Sequence, residues 1–128
     1  MGILALLPRN MEVLCVDEDE RDAIVANFRE AVNMEPADLR SWLRTAESKA
    51  VGWPKDRGPD EESVGHASGR RILGLLRKAK DKLTDDDLRH MRKVVGYTRR
   101  HLKQRPRGDV SHRPWRYSLM NWGHDPLK

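Results

Sequence analysis

The chain has 128 residues, 38% of them hydrophobic and only 5% aromatic, enough for one domain with a modest core and too little for a large buried active-site cavity. Its one cysteine, Cys15, excludes an intramolecular disulfide framework and a thiolate metal centre, and points to the reducing cytoplasm. The net charge of +5 hides a division: residues 1–62 hold 8 Lys/Arg against 14 Asp/Glu, whereas residues 63–128 hold 17 against 6.

The opening apolar run, Ile3 to Leu7, is too short for the core of a secretion signal or for a bilayer span, so no membrane is expected as a partner. Residues 1–20 read as an N-terminal extension to a single helical domain over residues 21–128. Its first element is ERDAIVANFREAVN, where Ile24, Val25, Phe28 and Val32 recur at helical spacing behind acidic residues that favour the positive end of the helix dipole. EPADLRSWLRTAE predicts a short second helix, with Pro36 at its first position and Leu39, Trp42 and Leu43 on one face. WPKDRGPDEE reads as a loop. A third helix is expected from about Ser63 to Lys82, its apolar face formed by Ile72, Leu73, Leu75, Leu76 and Ala79.

The fourth helix opens on Thr84 followed by Asp85, Asp86 and Asp87, a capping hydroxyl with a carboxylate three residues on. Leu88, Met91, Val95 and Leu102 trace its buried stripe as far as Gln104. Pro106, Gly108 and Pro114 predict an extended basic linker over residues 105–113. In the tail, residues 114–128, a short helix from Pro114 aligns Trp115, Leu119 and Trp122, and Gly123 and Pro126 stop it. Two indoles are a large gain for a core short of aromatics, about 1.5 to 3 kcal/mol each on burial, so the tail is expected to close back on the domain as a clasp. A partner surface is the other reading of the tail. The fold class expected is all-α, a small bundle of about four helices with the C-terminal aromatic tail packed on the core.

Between Arg89 and Arg116 stand ten Lys/Arg and a single acid, Asp109. Arg92, Arg99 and Lys103 share one face of the fourth helix, with Gly96 in the same row. Such a row can neutralise successive phosphates, and a glycine within it lets backbone approach a ligand; a solvated face with Gly96 packed on a neighbouring helix is the alternative. Arg105 and Arg107 in the linker form a cationic arm of the kind that enters a minor groove. Gly65, Ser68 and Gly69 beside Arg70 and Arg71 offer either free amides for an anion or, as the preferred reading, a close helix contact. His66 is then a phosphate donor, a cap or a buried, satisfied ring. His90 and His101 are about 16 Å apart along the helix, too far to share a metal. His124 and Asp125 are adjacent and do not form a dyad. No metal, cofactor or catalytic residue is expected, and the chain does not read as an enzyme.

The stretches FREAVNMEPADLRSWLRTAESKAVG, ESVGHASGRRILGLLRK, LTDDDLRHMRKVVGYTRRHLKQRP and WRYSLMNWGHDPLK together resemble the bacterial domain-of-unknown-function family 3140, whose members often carry the label DNA-binding protein. The resemblance runs from about Arg21 to Lys128 and leaves residues 1–20 outside. Glu35 stands before Pro36, where the family often has Thr or a similar capping residue. The family supplies no catalytic residues, and its label implies a DNA-binding role.

The expectation is a small basic, cytoplasmic or nucleoid-associated protein that binds double-stranded DNA with low sequence specificity, with RNA as a second candidate ligand. Arg92, Lys93, Arg99, Arg100 and Lys103 would grip the phosphate backbone, extended by Arg70 and Arg71, by Arg105 and Arg107, and by Arg113 and Arg116 held beside the basic helix. Tyr97 and Tyr117 are the aromatics expected near this face. The alternative, from another class, is a protein-interaction module whose basic half docks an acidic partner or the acidic half of a second copy.

Overall fold

Asp17 starts the described fold: its carboxylate accepts a hydrogen bond from the Glu20 amide at 2.7 Å and caps α1, Glu18–Ala31. The computed structural model describes residues 17–128. The domain therefore begins ahead of the expected boundary at Arg21, because Asp17 and the acids of the first turn satisfy and complement the helix start. The rest of the expected extension, with Cys15, lies outside the described residues.

The second helix, α2, spans Pro36–Leu43; Glu35 at its start makes no side-chain cap bond, and the fixed φ of Pro36 begins the turn instead. A five-residue helix not expected from the sequence, α3 (Ala46–Ala50), follows at once, capped by the Thr45 hydroxyl, which accepts from the Ser48 amide at 3.1 Å. α4 spans Val64–Arg77 behind a Ser63 cap. It ends short of the expected Lys82: Lys78 is extended, a 3-10 turn covers Lys80–Lys82, and Ala79 is exposed instead of lying on the apolar face. Arg21 holds this reversal by donating to the carbonyls of Lys80 and Leu83 at 2.9 and 2.5 Å, which lets Leu83 turn into the core.

α5, Asp85–Leu102, carries the expected capping box, with Thr84 and Asp87 each accepting from the other's amide. α6 spans Pro114–Asn121, and Gly123 at φ +82° reverses the chain after it. Among the described residues the fold is all-α, six helices and no strand. α1 lies along α5, and Phe28, Leu39, Ile72, Leu88 and Val94 are almost wholly buried between the helices.

The tail does close on the domain, but its two indoles serve different places. Trp122 enters this main core, whereas Trp115 packs with Val110 and Leu119 in a smaller one. Val110, 1% exposed, anchors the 105–113 linker on the domain, while Arg105, Arg107 and Arg113 within it stay exposed. No described helix is long and apolar enough to cross a membrane.

Candidate nucleic-acid interface

The structure divides the eleven candidate cations into two groups. Arg70 forms a two-pronged ion pair with Glu62, at 2.7 and 2.5 Å, which raises its own pKa and holds the Glu62 carboxyl down at about 2. Arg71 reaches Asp86 at 2.7 Å, Arg92 is paired with Glu20, and Arg116 grips Asp125 at 3.1 and 2.9 Å while donating to the Ser111 carbonyl. The half-buried Arg116 locks the tail to the linker, so it is a structural group and not a free hand for phosphate. Arg105 lies over the Trp115 ring, 5.6 Å from its centre.

The remaining six, Lys93, Arg99, Arg100, Lys103, Arg107 and Arg113, have no carboxylate within ion-pair distance among the described residues. All are exposed. Lys93, Arg99, Arg100 and Lys103 lie on the outer face of α5 and its C-cap, in an arc of about 120° and over about 15 Å of helix axis. That length matches about four phosphates along one DNA strand. The row expected from spacing, Arg92, Arg99 and Lys103, thus loses Arg92 to Glu20 and gains Lys93 and Arg100. Arg92 and Arg99 flank a groove of about 350 Å³ between α1 and α5.

Gly96 sits in the middle of this face. The Arg100 guanidinium folds back toward it, 3.0 Å from where a Cβ would stand, and Gly96 also lines the groove between α1 and α5. At the start of α4 the preferred reading is the one realised: Gly65 packs on Trp122 and Asn121, and Gly69 on the Asn121 carbonyl and Leu43. His66 is a half-buried, satisfied ring between the Glu62 carboxylate and the Leu43 carbonyl. His124 bonds the Ala31 carbonyl while Asp125 turns to Arg116, so the two do not face each other. No group of three metal-ligating side chains occurs among the described residues.

The two tyrosines expected near the basic face are both half-buried, and Tyr97 lines a cavity with Lys93 and Arg100. Tyr117 packs on Trp42, and Tyr97 is half-buried in a stack in which Trp115, His101, Tyr97, Trp122 and His90 follow one another at centroid distances of 5.8, 5.1, 4.4 and 6.2 Å. Burial holds both histidines below the ordinary value of 6.5, helped at His90 by Arg71 and Lys93 and opposed at His101 by its bond to the Trp115 carbonyl. The ring that faces solvent is Trp53, 70% exposed, in the loop between α3 and α4. Its signal in the sequence is slight: an indole before a proline, with no large apolar residue at helical spacing beside it.

A family model described as "Protein of unknown function (DUF3140)" matches residues 27–120. No curated protein and no solved structure matches the chain.

Proposed function

The chain belongs to the DUF3140 family of proteins of unknown function, and for it we propose DNA binding of low sequence specificity, with the outer face of α5 on the phosphate backbone. One observation carries this reading: Lys93, Arg99, Arg100 and Lys103 stand exposed and without a described carboxylate on one helix face, whereas other cations of the basic half are neutralised within the fold. Unpaired cations keep their counterions, and the release of those counterions drives binding to a polyanion. Arg107, next to Gly108 at φ +82°, and Arg113 extend the surface from the pinned linker. α5 contains no Asn or Gln for reading base edges, which favours backbone contacts over sequence recognition.

Docking of the basic half on the acidic half of a second copy has less support. Glu20 and Asp22, at the start of the acidic helix, are paired with Arg92 and Lys80 of the same chain. A cytoplasmic, nucleoid-associated location belongs to the same proposal.

The test is fluorescence anisotropy of a labelled random duplex of about 30 base pairs over a salt series. With about four to six phosphates neutralised, log K falls linearly with log salt at a slope of about −4 to −5. Exchanging Arg99 and Lys103 for Glu lowers affinity by at least roughly tenfold for every sequence alike and reduces the slope by about two. Arg70→Ala, which removes only a paired cation, changes affinity by less than about twofold. Absence of binding even at low salt overturns the proposal.

A further inference from the structure

Trp53 is held outward by a built loop. Arg57, at the centre of that loop, donates to the carbonyls of Lys49, Ala50, Gly52 and Pro54 at 2.6, 3.0, 3.0 and 2.8 Å, and the Val64 amide donates to the Trp53 carbonyl at 2.9 Å. Gly52, at φ +108°, lies so close to Ser63 that a Cβ would stand 2.9 Å from the serine Cβ. An indole 70% exposed on a loop fixed at this many points is already positioned for a ligand, so little ordering entropy is lost when one binds.

Two cavities, of about 230 and 580 Å³, meet at Gly52, Trp53, Tyr97 and Ser118. The smaller is walled by Trp53, Tyr97 and Trp122, with Lys93 and Arg100 on its rim; Lys55 stands on the rim of the larger. Neither is lined by an Asp or Glu, in a chain that has 20 of them. Flat apolar walls and unopposed cations select a ligand that is planar on one part and anionic on another. The Asn121 side chain, the amide lining the smaller cavity, is already bonded to Trp42 and Ser48, so the cleft offers few donors for a peptide backbone.

From this we infer that the cleft is a stacking site for an unpaired nucleotide of single-stranded DNA, the base on the Trp53 indole and its phosphate on Lys93 and Arg100. A base inside a duplex has both faces covered by its neighbours and cannot enter; an unpaired one can, and stacking on an aromatic ring is tolerant of sequence. The site deepens the DNA-binding reading and shares Lys93 and Arg100 with it, but Trp53 itself belongs to this site alone.

The experiment compares a labelled oligothymidylate of about 12 nucleotides with the random duplex, using the full chain and its Trp53→Ala and Trp53→Phe variants. Because Trp53 is exposed, both variants fold, which a thermal melt verifies. The expected result is a loss of about 5- to 100-fold in single-strand affinity for Trp53→Ala, most of it restored by Trp53→Phe, with duplex affinity unchanged. Single-strand binding that depends on Trp53 without any duplex binding upholds this site and overturns the duplex reading. Equal single-strand affinity for wild type and Trp53→Ala overturns the site whatever the duplex does. Absence of single-strand binding, or displacement of the strand by polyglutamate at equal charge, likewise overturns it, the latter in favour of an acidic protein.

Discussion

Gly69 and Gly96 are both interior helix residues, yet their surroundings demand opposite things. A Cβ on Gly69 would stand 2.6 Å from the Asn121 carbonyl oxygen and 2.6 Å from a Leu43 methyl. The carbonyl belongs to the backbone of α6 and cannot step aside, so Gly69→Ala forces α4 and α6 apart. The strain, typically about 1–3 kcal/mol, outweighs the gain of up to about 1 kcal/mol that alanine brings to a helix. On Gly96 the nearest atom is the far end of the Arg100 side chain, at 3.0 Å, which is free to swing outward. Gly96→Ala therefore collects the propensity gain and stabilises the protein by about 0.5–1 kcal/mol. Urea unfolding of the two variants checks both signs: the midpoint falls for Gly69→Ala and rises for Gly96→Ala. The same substitution in two helices thus distinguishes a glycine required by packing from one that is not.

At the scale of elements, α6 joins the short helices to the bundle through one buried amide. Asn121, 1% exposed, accepts from the Trp42 indole at 2.8 Å and from the Ser48 hydroxyl at 2.5 Å, and donates to the Ser48 carbonyl at 3.0 Å. Removing it leaves these groups of α2 and α3 without partners in a dry site. Asn121→Ala is expected to cost about 2–4 kcal/mol in urea unfolding, and Trp42→Phe, which takes away one donor and keeps most of the ring, clearly less. The sequence makes α5 and α6 legible because their signals are local: Thr84 and Asp87 meet within one turn, and Pro114 fixes the first φ of its helix. α3 escapes notice because five residues are too few for a hydrophobic period, and α4 is expected too long because the Arg21 bonds that help close its reversal come from 59 and 62 residues away. The candidate site divides in the same way. The spacing of basic residues on α5 places them on one face, but which of them are neutralised depends on distant acids such as Glu20 and Glu62. The Trp53 cleft draws on the α3–α4 loop, α4, α5 and α6 together, so no single stretch announces it.

Across the whole molecule, the pattern of ionisation predicts two separate steps of acid destabilisation. The first belongs to His90 and His101, which anchor the aromatic stack, His90 also bonded to the Ser68 hydroxyl and His101 to the Trp115 carbonyl. Both have folded pKa values below the ordinary 6.5, chiefly through burial. As pH falls through 6.5 the unfolded chain takes up protons that the folded one refuses, so stability declines from there and levels off below the folded values. The second step belongs to Glu62 and Asp87. The Arg70 hydrogen bond first, with help from His66, lowers Glu62 to about 2; burial alone would raise Asp87, but bonds from Lys78 and Thr84 outweigh it and hold that carboxyl at about 2 as well. Their stability is present above the ordinary carboxyl values of 4.5 and 3.8 and is lost as pH falls through about 2, when the α5 capping box and the Glu62–Arg70 pair are discharged. Unfolding free energy measured from pH 8 to pH 2 therefore falls in two stages separated by a shallower stretch. Replacing both histidines with Gln removes the upper stage and leaves the lower one, even if the variant is less stable throughout. An undiminished slope between pH 7 and pH 5 in that variant would show that the two stacked rings are not its source. DNA affinity is expected to follow the upper stage only as far as the fraction folded does. Affinity that instead rises in a fully folded protein between pH 7 and pH 5 would place a titrating group within the interface.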